Sequence, residues 1–85
     1  MAKIDIYTSP LCGYCHMAKR LLTSKGAEFN EINVMGNDTA RAQMIDRAPG
    51  ARTVPQIFIG DTHVGGSDEL HALDAQGKLD ALLAA

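Results

Sequence analysis

The chain has 85 residues, of which 46% are hydrophobic and 21% charged, and its formal net charge is −2. This length predicts one domain over residues 1–85, and the charge balance argues against a nucleic-acid-binding protein, which usually carries a basic surface. The apolar runs are too short to span a membrane, and the first residues lack the apolar stretch of a signal peptide, so we expect a cytoplasmic protein. In such a reducing compartment the two cysteines, Cys12 and Cys15, are more often catalytic or metal-binding than structural.

The spacing of apolar residues predicts the order strand, helix, strand, helix, hairpin, helix. The predicted strands are residues 3–8, 29–34, 56–59 and 62–64, and the predicted helices are 13–25, 40–48, one beginning at 67, and a last turn or two over 79–83. Asp38 and Ser67 are the predicted caps of the second and third helices. A parallel pair joined by a crossover helix and followed by a hairpin predicts an α/β fold, with a four-stranded mixed sheet flanked by three or four helices.

Both cysteines lie in Cys12-Gly13-Tyr14-Cys15, between the first predicted strand and the first predicted helix. The unpaired N–H groups and the dipole at a helix N-terminus favour an anion, so a cysteine there loses its proton more easily, and the thiolate is the reactive form. We therefore predict that Cys12 is a nucleophile. Cys15, about one turn further along the same face, is predicted to resolve a mixed disulfide on Cys12. Tyr14 is predicted to line the opening of the site.

A structural zinc site is the main alternative use of such a cysteine pair. Zinc usually requires four ligands, the sequence has no second cysteine pair, and the spacing of His16, His63 and His71 matches no common zinc motif. We therefore predict no metal site of this kind, and we interpret His16 as an ordinary surface or edge histidine.

Two further segments have the pattern of a peptide-binding edge. Thr53-Val54-Pro55 precedes a predicted strand, and a cis bond before Pro55 would leave the backbone of Val54 free to pair with an extended peptide. The alternative there is a plain proline at a strand start. Gly65-Gly66-Ser67-Asp68 opens a predicted helix, whose N-terminus would hold a carboxylate while Asp68 suits an ammonium group. The alternative there is a simple capped helix.

Three segments together resemble the small bacterial dithiol glutaredoxins over essentially the whole chain: Cys12-Gly13-Tyr14-Cys15, Thr53-Val54-Pro55-Gln56-Ile57-Phe58-Ile59 and Gly65-Gly66-Ser67-Asp68-Glu69-Leu70. The resemblance implies a thioredoxin-like fold, a cis bond before Pro55, and glutathione as ligand and co-substrate. It implies that the glutathione cysteine joins Cys12 and pairs with the backbone of Val54. The remaining glutathione contacts that it implies are Tyr14, Thr53, Pro55, Gly66, Ser67 and Asp68.

The sequence departs from the family pattern at two places near Cys12. The family often holds the glycine carboxylate of glutathione with a lysine shortly before the first cysteine, where this chain has Ser9-Pro10-Leu11. We take Arg41 as the substitute, with Arg52 and Gln56 as weaker candidates. Gly13 stands where proline is commoner, and related glutaredoxins with a small residue there can bind a [2Fe–2S] cluster between two subunits, through the first cysteine of each chain and two glutathione thiols.

The resemblance and the residues together predict a glutathione-dependent thiol–disulfide oxidoreductase. Its expected partners are disulfide-bonded and glutathionylated proteins, with ribonucleotide reductase a family option, and no nucleic acid or membrane; a monomer is expected unless a cluster is bound. A [2Fe–2S]-binding dimer with Cys12 as ligand is the second hypothesis. The third is a redoxin reduced by thioredoxin reductase without glutathione, against which the Ser67-Asp68 segment argues.

Overall fold

The predicted order of strands and helices is confirmed by the computed structural model, which describes residues 2–85. The elements in chain order are β1 (Ile4–Thr8), α1 (Gly13–Ser24), β2 (Asn30–Asn33), α2 (Asp38–Arg47), β3 (Gln56–Ile59), β4 (Thr62–Gly65), α3 (Ser67–Ala75) and α4 (Leu79–Ala84). None of the helices in residues 2–85 has the length and apolar character needed to cross a membrane.

The strands form one four-stranded mixed sheet in the order β2-β1-β3-β4. β1 pairs in parallel with β2, its neighbour across the crossover helix α1, and antiparallel with β3, which forms a hairpin with β4. The central strands β1 and β3 are buried along their whole length, whereas the edge strands β2 and β4 are more exposed. The predicted α/β fold, with a four-stranded mixed sheet and flanking helices, is therefore confirmed.

Side-chain alternation along the central strands divides the hydrophobic core between the two faces of the sheet. One cluster joins the sheet to α1, α3 and α4 and includes the fully buried Ile6, Leu22, Ile57, Leu70 and Leu79. The other joins the sheet to α2 and includes Tyr7, Met44 and Phe58. Because β1 is packed on both faces, the loop that follows it, which carries Cys12, leaves the sheet from a firmly held strand.

Both predicted helix caps are wrong by one residue. Asn37, rather than Asp38, caps α2, because its Oδ1 accepts the backbone N–H of Ala40 at 3.1 Å. Gly66, rather than Ser67, precedes α3, and Ser67 is the first residue of that helix. At each place two neighbouring residues suit a helix start, and sequence preference alone does not separate the cap from the first turn.

Candidate functional site

Cys12 places its sulfur at the N-terminus of α1. The backbone N–H of Cys15 donates to Sγ of Cys12 at 3.2 Å, so the sulfur caps the helix. The same sulfur donates to the carbonyl oxygen of Val54 at 3.5 Å. Cys12 is half-buried, and its sulfur therefore lies between the start of α1 and the segment before β3, where solvent still reaches the residue.

Cys15 lies on the inner side of the same helical turn and is fully buried. Burial is the first cause, and the neighbouring Cys12 thiol the second, that raise the pKa of the Cys15 thiol from its ordinary value of 9.0 to about 12. A backbone hydrogen bond at Ser9, and to a smaller extent the ammonium of Lys19, lower the pKa of Cys15 without cancelling these effects. Because the thiolate is the reactive form, the reduced protein presents one accessible thiol and one that stays protonated behind it.

A cleft of about 320 Å³ lies next to Val54, the residue that contacts Cys12. Residues 53–56 form one wall, residues 66–69 at the start of α3 form the other, and Tyr14 lies at the rim with 61% of its surface exposed. The bond between Val54 and Pro55 is cis, as the resemblance implied. The fold thus brings together three segments that are far apart in the chain.

The start of α3 offers backbone donors and a carboxylate side by side. Gly65 has a φ of +113°, a backbone conformation that residues with a Cβ rarely adopt, so the position favours glycine; a Cβ there would also displace Oε1 of Glu69, 2.8 Å away. Glu69 accepts the N–H of Gly66 at 2.8 Å. The next two N–H groups, those of Ser67 and Asp68, have no acceptor within the helix, as at any helix start.

Glu69 lines the cleft, although it was not among the predicted site residues. A glutamate three residues after a helix cap is the pattern of a reciprocal capping pair, and that spacing could have indicated its role. The contact holds the turn that enters α3 and thereby shapes one wall of the cleft.

The three residues predicted as candidates to bind the glycine carboxylate of glutathione lie in different places. Arg41 is exposed on α2, and its Nη2 donates to the carbonyl oxygen of Arg52 at 2.8 Å. Neither arginine is among the described residues that line the cleft. Gln56 does line it, but its Nε2 donates to the carbonyl oxygen of Thr53 at 3.0 Å and its Oε1 lies 2.8 Å from Nε2 of His63.

The histidines lie on three different elements. His16 is exposed on α1, with Nε2 at 3.3 Å from the carbonyl oxygen of Pro10, as expected for a surface histidine. His63 lies on β4 and His71 on α3. Across residues 2–85, no three His, Cys, Asp or Glu side chains lie close enough together to share a metal ion.

A thioredoxin-like fold with a Cys-x-x-Cys pair at the start of its first helix is the arrangement typical of thiol–disulfide redox proteins. A family model described as "Glutaredoxin" matches residues 4–64. The chain is also 55% identical to glutaredoxin 3 of Escherichia coli (strain K12) over 83 residues, which cover 98% of this chain and 99% of that protein.

Solved structures agree with these matches. The solution structure of glutaredoxin from Brucella melitensis is similar with a TM-score of 0.85 and 55% identity, over 98% of this chain and 89% of the other. The crystal structure of a buckwheat glutaredoxin–glutathione complex is similar with a TM-score of 0.87 and 31% identity, over 98% and 77% of the two chains. The chain belongs to the glutaredoxin family, as its three motifs implied.

Proposed function

We propose that this glutaredoxin is a glutathione-dependent oxidoreductase in which Cys12 is the nucleophile and Cys15 the resolving thiol. The observation that carries the proposal is the sulfur of the half-buried Cys12, which contacts the Val54 carbonyl beside a cleft of about 320 Å³. A volume of this order is what small ligands occupy in proteins. The glutathione complex of the buckwheat relative supports the choice of ligand.

We place glutathione along this cleft. Its cysteine would pair with the backbone of Val54 in the manner of an added strand, with its sulfur at Cys12. Its γ-glutamyl end would reach the start of α3, where the N–H groups of Ser67 and Asp68 suit the α-carboxylate and the Asp68 side chain suits the α-ammonium. Glutathione would also contact Tyr14, Thr53, Pro55 and Gly66.

Arg41 remains our proposed partner for the glycine carboxylate. A guanidinium carries five N–H donors, and the contact with the Arg52 carbonyl engages only Nη2. Gln56 is the weaker choice, because its amide already has partners at both ends. Arg41→Met should raise the KM for a glutathionylated peptide about fivefold, the effect of an ion pair worth about 1 kcal/mol, and Arg52→Met is the matched comparison. A larger rise in KM for Arg52→Met than for Arg41→Met would assign the role to Arg52.

The reaction is thiol–disulfide exchange. The Cys12 thiolate attacks the glutathione sulfur of a mixed disulfide, the substrate thiolate leaves and takes up a proton, and glutathione stays bonded to Cys12. A second glutathione thiolate then attacks that glutathione sulfur, so that oxidised glutathione leaves and Cys12 is reduced. With a protein disulfide, the Cys12 thiolate attacks one sulfur of the bond, and the other sulfur leaves as a thiolate and takes up a proton from water. Cys15 then attacks Sγ of Cys12 in this mixed disulfide and gives its proton to the second substrate thiolate, which departs. Two glutathione molecules reduce the resulting Cys12–Cys15 bond.

Two substitutions test this assignment. Cys12→Ser should abolish reduction of both glutathionylated peptides and protein disulfides. Cys15→Ser should abolish only the second, because glutathione itself removes the glutathione bound to Cys12. Loss of both activities in Cys15→Ser, with the fold intact by circular dichroism, would show that the roles are assigned wrongly. Failure of glutathione to reduce the oxidised protein would favour a redoxin served by thioredoxin reductase.

A dimer bridged by a [2Fe–2S] cluster is a second candidate, favoured by the surroundings of Gly13. A Cβ at Gly13 would meet nothing within 4 Å, so the helix start beside Cys12 has an open face. Cys15 is held protonated by burial, so each chain offers one thiolate. Thiolate ligands for the cluster would then be Cys12 of two chains and two glutathione thiols, a donor set that suits iron–sulfur chemistry.

Reconstitution without oxygen, with iron, sulfide and glutathione, separates the two candidates. A cluster-binding protein becomes coloured and doubles in mass, loses the colour in Cys12→Ser and keeps it in Cys15→Ser. Gly13→Pro should lower the yield of cluster while preserving the helix, since proline is accepted at the first helical position. A colourless monomer under these conditions would rule the second candidate out.

A further inference from the structure

Two side chains connect β4 with the segment that carries Val54. Gln56 is 5% exposed, and its Nε2 donates to the carbonyl oxygen of Thr53 at 3.0 Å and lies 3.5 Å from the Thr53 hydroxyl. Its Oε1 accepts from Nε2 of His63 at 2.8 Å. A carbonyl oxygen only accepts, so the amide nitrogen must face Thr53 and the amide oxygen must face His63. The buried amide of Gln56 is thus satisfied at both ends.

The His63 residue is exposed on β4, and its ring is held by stacking on the buried Phe58. His63 and Phe58 are cross-strand partners in the β3–β4 hairpin, and their rings stack with centroids 4.9 Å apart and an interplanar angle of 23°. Phe58 is itself buried and has the guanidinium of Arg47 4.0 Å from its ring centroid. The direction of the His63 N–H is therefore set by packing as well as by the hydrogen bond to Gln56.

We propose that Gln56 and His63 are positioning residues for glutathione, which hold Thr53, and through it the Val54 backbone, at the separation from Cys12 that a disulfide-linked tripeptide requires. This inference rests on the proposed function. The connection is short, since Thr53 adjoins Val54, whose carbonyl oxygen lies 3.5 Å from Sγ of Cys12. His63 acts through Gln56, and Gln56 acts through Thr53.

The expected effect is selective for ligands that carry a peptide backbone. Removal of the His63 donor leaves the buried Oε1 of Gln56 without a partner, and a buried polar group without a partner is costly enough to draw the amide away from Thr53. The backbone of Val54, which adjoins Thr53, is then no longer held in position to pair with the ligand. The sulfur of Cys12 keeps its contact with the Cys15 N–H, which belongs to α1. Its contact with the Val54 carbonyl needs the thiol proton and is absent in the reactive thiolate, so the reactivity of the thiolate is preserved.

The test uses His63→Phe in the full chain with Cys15→Ser, so that only Cys12 reacts. Phenylalanine keeps the stacking on Phe58 and removes the donor. The rate of Cys12 oxidation is measured by stopped flow with glutathione disulfide, which carries a peptide backbone, and with bis(2-hydroxyethyl) disulfide, which does not. The rate constant for glutathione disulfide should fall about fivefold, the ordinary value of one neutral hydrogen bond, and the other rate constant should not change.

Two further variants complete the test. Gln56→Met, which is close in volume, should cause the same selective loss, and Thr62→Val, at an exposed neighbouring position on β4, should cause none. A loss that is equal with both oxidants, or absent in His63→Phe and Gln56→Met, overturns the inference alone. A protein that shows no preference for glutathione disulfide before these substitutions contradicts the proposed function, and the inference with it.

Discussion

Cys15 should resist alkylation in the folded protein. Its side chain is fully buried, and burial, followed by the Cys12 thiol, raises its pKa to about 12. Iodoacetamide reacts with thiolates, so a short pulse near neutral pH should label Cys12 and leave Cys15 unmodified. The same pulse in concentrated urea should label both cysteines, because unfolding removes the burial that keeps Cys15 protonated.

The expected magnitude follows from the pKa of Cys15. Near neutral pH, a thiol of pKa about 12 is ionised about 1,000 times less often than one at the ordinary value of 9.0. The more basic thiolate is the better nucleophile by about 0.4–0.5 decades per pKa unit, which returns a factor of about 20. Alkylation of Cys15 in the native protein should therefore be roughly 50-fold slower than in urea, and steric burial should slow it further.

Pulsed labelling followed by proteolysis and mass spectrometry measures each cysteine separately. Two of the causes that raise the pKa of Cys15 come from Cys12, so Cys12→Ser should speed the labelling of Cys15 and still leave it slower than in urea. Equal rates for Cys15 in the native and unfolded protein would refute the reasoning, because burial could then not be the main cause of its raised pKa.

Four further substitutions test the fold through the free energy of unfolding in urea. Leu22→Ala should cost about 2–5 kcal/mol because it leaves a cavity in the core, and a cost below about 1 kcal/mol would contradict the packing at this fully buried site. Asn37→Ala should cost about 1 kcal/mol and Asp38→Ala clearly less, and the reverse ranking would return the cap to Asp38. A hydrogen bond from the Thr8 hydroxyl is the first cause, and one from Lys19 the second, that lowers the pKa of Glu31 below its ordinary value of 4.5. The ionised carboxylate therefore stabilises the fold above pH 4.5, and this contribution disappears as the pH falls through the lowered pKa. The difference between the protein and Glu31→Gln should accordingly be present at neutral pH and vanish in acid, and a difference independent of pH would contradict it.

Local patterns in the sequence predicted the elements well, because the helices carry a stripe of apolar residues and the strands are short segments bounded by glycine, proline and polar turn residues. The span of β3 was predicted without error, and the other elements differ only at their ends. The parallel first pair and the hairpin were also predicted, whereas the pairing of β1 with β3, which sets the order of the sheet, was seen only in the structure. The two caps were missed because Asn37 and Asp38, like Gly66 and Ser67, are both acceptable at a helix start.

The cysteine motif and the two cleft segments were recognised from residues that are close in the chain. The hydrogen-bond partners of Arg41 and Gln56 were not predicted, because the Arg52 carbonyl and the His63 ring come close to these side chains only in the folded protein. From the sequence, the side-chain amide of Gln56 was a candidate to bind the glycine carboxylate of glutathione. In the structure its oxygen is bonded to His63 on β4 and its nitrogen to the Thr53 carbonyl before β3. A polar residue beside a proline in an apolar strand was the signal that it had a buried partner.

The sequence by itself determined that the chemistry lies at Cys12 and Cys15, because a Cys-x-x-Cys pair at a helix start is a local arrangement. Only the tertiary structure decided how unequal the two thiols are. Packing of α1 against the sheet buries Cys15 and raises its pKa, and the approach of Val54 gives the sulfur of Cys12 its contact with the cleft. Burial and the meeting of distant segments depend on the whole fold, and no local pattern contains them.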